Sequence, residues 1–452
     1  MRHHHIPSRP HVQGASAPIR LRHSARDLTD GAGLLTVRRL WDELDLGRWI
    51  DDRSADVAGR FRSSLMVELW VALLLYGGSV LDDLLWFRKR GVRALFGWTR
   101  IPDPTTFGRW LRRAGAPLVP ILDELIWLLV RVRWEATQVP RTVTLVLDST
   151  VAVRYGTKQA GAEKGYNPKK RGRPSHHPLV ATLAETGDLM GVRWRPGSAS
   201  AARGAPEWLE VLVARLREAG VEEITVRLDK GFFSKAMVEC LGSLKVHFLL
   251  KVPDYHWVRR ELGSMRRSAK SLEITKDPAL RIWSAGGTLY GARLLSLEWR
   301  RTESGPDELF DRVRITQRSH VLTNLPAIHA LTAWRGYNDG AVVEQRIEEL
   351  AQLGAGRTAV DHLGGNALLW QMAALAYQLL HVLRTTALQG AWRRAQPNRI
   401  RTWLFCLPGK ITRHARKLYV QLLRREPLRP LLLQALRRVA QLRAPPDRRA
   451  VA

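Results

Sequence analysis

A chain of 452 residues, 45% of them hydrophobic, holds enough apolar material for roughly two to four domains, which excludes a disordered protein. Lysine and arginine number 72 against 42 acidic residues, a net charge of +30, so the expected partner is a polyanion, with nucleic acid ahead of an anionic membrane surface. Only Cys240 and Cys406 occur, far apart and without a CxxC pattern, which argues against a disulfide framework or a cysteine zinc site.

Residues 1–27 read as a disordered basic tail without the apolar core of a secretory signal, and His3, His4 and His5 within it are given no role. Residues 28–138 read as a helical DNA-binding domain, with apolar residues at three- and four-residue spacing from about residue 34 to 134. Glu68, Asp123 and Glu124 break its best apolar runs well short of the roughly 20 residues a spanning helix needs, so a soluble cytoplasmic protein and no membrane partner are expected. Within this region IPDPTTFGRWLRR predicts a turn, an N-cap at Thr105 or Thr106, and a short helix carrying Arg109, Arg112 and Arg113. That basic face suits DNA and suits solvent about equally. Trp70, Trp127 and Trp370 lie in apolar helical segments and are expected in the core.

At residue 143 the pattern changes. TLVLD is a short strand ending in a carboxylate, and two alternating runs around Thr186, Gly187 and Asp188 predict a hairpin that completes a three-stranded meander. A helix over 206–219, a strand ITVRLD, a helix over 234–241 and a strand VHFLLKVP follow. The order β-β-β-α-β-α-β is that of an α/β, ribonuclease H-like mixed sheet, with the core assigned to 139–252 and 326–390. Residues 253–325, rich in Trp, Arg and alternation, read as a β-rich insertion, and 391–452 as a basic helical C-terminal region.

Phosphoryl transfer on DNA needs charge neutralisation at phosphorus, which two hard cations held by convergent carboxylates can supply. Asp148 and Asp229 each close an apolar strand, a position that an N-cap or turn aspartate fits equally well. A third acid can come from the helix beginning near Tyr337, which offers Glu344, Glu348 and Glu349; Glu344 and Glu348 share a face, and periodicity does not choose.

The stretches LVLDST, GYNPKKRGRPSHHPL, VRLDKGFF, YNDGAVVEQRIEEL and FCLPGKITRHARK carry a resemblance, extending over about residues 60–440, to the DDE transposases of bacterial insertion sequences. The similarity is to the group with a β-rich insertion before the last acid. The resemblance implies catalytic and metal-binding roles for Asp148, Asp229 and Glu344, the last because the family places its glutamate seven residues after the tyrosine, here Tyr337. It further implies magnesium or manganese, two ions per site; double-stranded DNA as substrate, both as terminal inverted repeats and as target; a synaptic homodimer; and a place beside the bacterial nucleoid. Two basic signature positions are occupied instead by Gly340 and Ala351, and Arg346 or Arg335 is the candidate substitute.

For DNA contact the residues singled out are Tyr337, Arg346 and the basic loop residues Lys164, Lys169, Lys170, Arg171 and Arg173. Trp257, Trp283 and Trp299 in the insertion suit base stacking or their own small core equally, and none is assigned a role. The leading expectation is strand cleavage at transposon ends and strand transfer into target DNA. A catalytically decayed DNA-binding relative, a structure-selective nuclease of the same fold and, last, a metal phosphatase are the alternatives.

Overall fold

The structure, a computed structural model, describes residues 28–57, 59–88, 90–156, 158–167, 170–263, 281–304, 312–326, 330–338, 341–415 and 417–445. The basic tail expected over 1–27 lies outside them. A short strand, β1 (Leu28–Thr29), leads into α1 (Leu35–Glu43), α2 (Leu46–Arg53), α3 (Ser63–Tyr76), α4 (Arg90–Phe96) and α5 (Pro104–Thr137). Helix α3 is apolar on every side and therefore buried on every side, with residues 66–75 all in the core. Its one charged residue, Glu68, accepts from Trp98 Nε1 at 2.7 Å and from Arg38 at 3.0 Å. Among the described residues no single helix is long and apolar enough to cross a membrane; α3 passes only when paired with residues 81–88 across a 91° bend.

The short basic helix and the apolar helix expected after it are one element, because α5 runs unbroken for 34 residues. It starts with Pro104 behind Asp103 rather than capping at Thr105 or Thr106, since proline in the first turn has no needed N–H to lose. Pro117 and Pro120 interrupt its hydrogen-bond ladder, but Leu118, Leu122, Leu125 and Ile126 are fully buried and carry the helix through. Gly115 permits a backbone-to-backbone crossing with the helix Leu363–Val382: a Cβ at Gly115 would lie 2.3 Å from the Gly364 carbonyl carbon.

Strand β2 (Thr142–Ser149) buries Val143, Leu145 and Leu147 on one face and turns Thr144, Val146 and Asp148 to the other. After a two-stranded piece, β3 (Ala152–Val153) against β4 (Ser175–His176), β5 (Leu179–Leu183) pairs antiparallel with β2, and β6 (Leu189–Arg193) antiparallel with β5. Then come α6 (Ala205–Glu218), β7 (Glu223–Leu228), α7 (Lys235–Ser243) and β8 (His247–Val252). Ser234 caps α7 by accepting from the Met237 N–H at 3.1 Å. β7 is parallel to β2 and β8 is parallel to β7. The resulting order β6-β5-β2-β7-β8 is the ribonuclease H-like arrangement.

The residues after β8 begin with a helix, α8 (His256–Gly263), and then form β9 (Arg281–Leu289), β10 (Ala292–Ser304) and β11 (Arg312–Thr323). These strands extend the main sheet rather than building another. β11 pairs antiparallel with β8, which gives eight strands in the order β6-β5-β2-β7-β8-β11-β10-β9 and leaves β8 with no exposed edge.

Helices α9 (Ala330–Asn338), α10 (Ala341–Gln352), α11 (Leu363–Val382) and α12 (Pro397–Ile400) follow. Where the basic composition predicts helix throughout 391–452, the chain instead makes a hairpin, β12 (Gly409–His414) with β13 (Lys417–Leu422), before α13 (Arg429–Val439). The reason is tertiary: β12 pairs with β1 at Leu28 and Thr29, and Ile411 is buried against the N-terminal helices. Apolar residues from both ends of the chain, including Leu34, Leu69, Leu111, Leu375, Leu432 and Val439, share one core.

Candidate active site

Parallel pairing sets Asp148 and Asp229 side by side. Leu147 of β2 lies opposite Leu228 of β7, so the next residue of each strand falls at its carboxyl end, on the face turned away from those buried leucines. The Asp148 carboxylate accepts from the Ser149 N–H at 2.7 Å. Even so, its carboxyl is pushed up to about 6, first by burial and then by the negative charges of Asp229 and Glu344.

Glu344 stands in the first turn of α10 and is exposed. Of the three glutamates on this helix it is the one whose charge acts on Asp148. Glu348 is exposed, whereas Glu349 is buried and paired with Arg346 at 2.9 Å and Arg384 at 2.8 Å. Glu349 is thus a structural acid, and Arg346 is turned toward it.

Tyr337 lies at the end of α9, in a different helix from Glu344. Its hydroxyl donates to Asp229 Oδ1 at 3.0 Å, and burial followed by the Asp229 charge pushes that hydroxyl well above its ordinary range. Two cations that sequence inspection passes over complete this corner. Lys251 of β8 is the lateral neighbour of Asp229, since Leu228 pairs with Leu250, and its Nζ sits 4.8 Å from the centre of the Tyr337 ring. Arg227, buried two residues before Asp229 and on the same face, donates to the Gly336 carbonyl at 2.9 Å and so ties the end of α9 to the sheet. The only sequence signal for Arg227 is its spacing of two from Asp229; for Lys251 there is none, because sheet register is not local.

The basic loop springs from the same end of β2 as Asp148, through β3 and β4. Its base is pinned by a close approach, as a Cβ on Gly165 would lie 1.8 Å from the Gly197 carbonyl oxygen. Lys164, Lys170, Arg171 and Arg173 are exposed, and Lys169 lies outside the described residues. Lys170 Nζ and the Arg173 guanidinium lie 4.8 Å and 5.6 Å from the centre of the Tyr155 ring, which is itself 68% exposed. Arg335 is exposed on α9, Ala351 is exposed on α10, and Gly340 lies outside the described residues.

Trp257 lies on α8 and stacks on Phe233 and Tyr255, each with centroids 6.2 Å apart, at the margin of the sheet core. The side chains of Trp283 and Trp299 lie outside the described residues. Trp70 and Trp370 are buried, and Trp127 is half-buried against Trp134.

An all-carboxylate donor set suits a hard divalent cation. The charge balance agrees: burial and two neighbouring anions act on Asp148, opposed by one N–H, which is the condition a bound cation would relieve. Among the described residues no three His, Cys, Asp or Glu side chains converge tightly enough to form a ligand shell, so Glu344 stands in electrostatic range without closing the set.

The family described as Transposase DDE domain group 1 matches residues 12–444. No curated protein matches the chain. A cryo-EM structure of a piggyBac transposase synaptic complex with hairpin DNA is similar over 84% of this chain and 83% of its own, at 14% identity and a TM-score of 0.42.

Proposed function

The chain belongs to the group 1 family of transposase DDE domains, and from that membership we propose that it cleaves DNA strands at transposon ends and transfers the freed ends into target DNA. The observation that carries the proposal is the row at the carboxyl ends of β2 and β7, where the Asp148 carboxyl feels both Asp229 and Glu344. These three acids would hold magnesium or manganese, two ions per site; when bound, such ions neutralise charge at the phosphoryl group and activate the attacking hydroxyl.

The remaining work belongs to the chain itself. Tyr337 donates to one oxygen of Asp229 and so fixes the carboxylate's orientation, while Arg227 anchors the helix that carries Tyr337. Lys251, beside Asp229, places a positive charge where a scissile phosphate would lie, and thereby offers what Gly340 and Ala351 cannot. The exposed Lys164, Lys170, Arg171 and Arg173, with Lys169, would hold the duplex backbone beside the acids. A homodimer in a synaptic complex, with a hairpin on the element end as intermediate, completes the reading.

A second reading, a DNA-binding relative that no longer cuts, is favoured by Gly340 and Ala351 alone. The deciding experiment is magnesium-dependent cleavage of a labelled duplex carrying the repeats that flank the gene, comparing wild type with Asp148→Ala, Asp229→Ala and Glu344→Ala. Cutting at the repeat boundary by wild type alone, with binding kept in all four proteins, supports the transposase reading. Binding without cutting by wild type would put the second in its place, and hydrolysis without joined products would leave a nuclease.

A further inference from the structure

At the opposite end of the β5–β6 hairpin, residues 184–187, the first turns of α10 and residues 381–394 enclose a cleft of about 910 Å³. Four arginines line it, Arg346, Arg384, Arg393 and Arg394, against one lining acid, Glu185. Glu185 is already engaged, because both its oxygens accept the Thr144 N–H, at 3.0 and 2.9 Å. Arg346 and Arg384 are held by the buried Glu349, whereas Arg393 and Arg394 are exposed and form no ion pair with any described residue. Counting Glu185 and Glu349 against four guanidinium groups leaves an excess of 4 − 2 = 2 positive charges.

The lining is cationic rather than aromatic, with no Trp, Tyr or Phe among the described residues, and exposed guanidinium groups suit phosphate oxygens. The cleft is also mechanically joined to the acids. One helix, α10, carries Glu344, which acts on Asp148, and then Gln345 and Arg346, which line the cleft. Thr144 at the cleft end of β2 and Asp148 at the acid end are four residues apart, roughly 13 Å of strand. Measured along the axis of a duplex, that is about four base steps at roughly 3.4 Å each.

We propose that this cleft is a second DNA contact, a phosphodiester-binding site that grips the backbone a few steps from the scissile position and clamps the helix bearing Glu344. The inference rests on the transposase reading, since it takes the polyanion to be DNA.

Arginine modification by phenylglyoxal, read by peptide mass spectrometry on the full chain with and without duplex DNA, tests it. Protection of Arg393 and Arg394 by the duplex, with the exposed Arg217 remaining reactive, is the expected result. If Arg171 and Arg173 become protected while Arg393 and Arg394 do not, the cleft assignment falls and the DNA reading stands; if no arginine is protected, both fall. Equal protection by inorganic phosphate alone, at matched phosphate concentration, would make this a free-anion site and overturn the DNA assignment. The double variant Arg393→Glu, Arg394→Glu should also flatten the slope of log affinity against log salt by about 1.8, at roughly 0.9 per phosphate contact. An unchanged slope in a folded variant overturns the proposal, and if the variant fails to fold the protection pattern decides.

Discussion

Asp148 and Asp188 belong to the same sheet, one at the carboxyl end of β2 and the other just before β6, and their surroundings are opposite. Asp188 is fully buried and accepts from Arg133 Nε at 2.6 Å, from a second Arg133 nitrogen, from Trp134 Nε1 at 2.9 Å, from Thr186 at 2.8 Å and from Gln378 at 3.1 Å. Burial alone would raise its carboxyl, but the Arg133 charge and these donors hold it below the ordinary carboxylate range. Asp148 has one N–H and two negative neighbours, and is pushed the other way. A carboxylate whose partners are all supplied by the chain serves the fold. One left among like charges at a strand end costs stability, an environment more common at functional sites than in structural ion pairs.

The largest expected effect separates the two acids by activity. Asp148→Asn should abolish magnesium-dependent strand cleavage while leaving the urea unfolding midpoint equal to or above that of wild type, because it removes a half-buried charge that Asp229 and Glu344 oppose. A clearly lower midpoint would mean that Asp148 is structural and would break the contrast. Asp188→Ala should act in reverse, costing about 3–5 kcal/mol in urea unfolding by stranding the buried Arg133. A loss below about 1 kcal/mol would show that Arg133 finds another partner.

Glu68 is the intermediate case, buried with two donors yet pushed up from its ordinary 4.5 to about 7, mainly by burial. Between those values the folded protein holds a proton that the unfolded chain has released. The contribution is therefore complete below about pH 4.5 and lost as pH rises through about 7, a fall of about 3 kcal/mol at roughly 1.4 kcal/mol per pH unit. Glu68→Gln should remove that part of the slope, so that the difference between wild-type and variant stabilities varies with pH in this window. A constant difference would show that Trp98 and Arg38 keep Glu68 ionised in the fold. The smallest effect is expected for Tyr337→Phe, which keeps the ring under Lys251 but frees Asp229. Magnesium titration of cleavage should shift to about tenfold higher concentration; no shift would show that the Tyr337 hydroxyl does not orient the carboxylate.

What could be read directly from the sequence was whatever is encoded by periodicity over a few residues. The alternation of TLVLD and ITVRLD set which way Asp148 and Asp229 point, the turn at Gly187 set the meander, and the order of strands and helices pointed to the mixed sheet. Charge pointed to a polyanion as the expected partner without saying where it would bind.

Tertiary structure decided what depends on distant segments. Composition made 409–422 look like a basic helix, but pairing with Leu28 and Thr29 makes it a hairpin. Glu344 and Glu349 are equally acidic in sequence; one acts on Asp148, and the other is consumed by Arg346 and Arg384, the latter contributed by a segment 35 residues further on. Lys251 joins the row of acids only because β8 falls in parallel register with β7. Local propensity fixes the direction of a side chain along its own element, whereas what it faces is fixed by how elements far apart in the chain pack, and that difference divides what the sequence alone determined from what the fold decided.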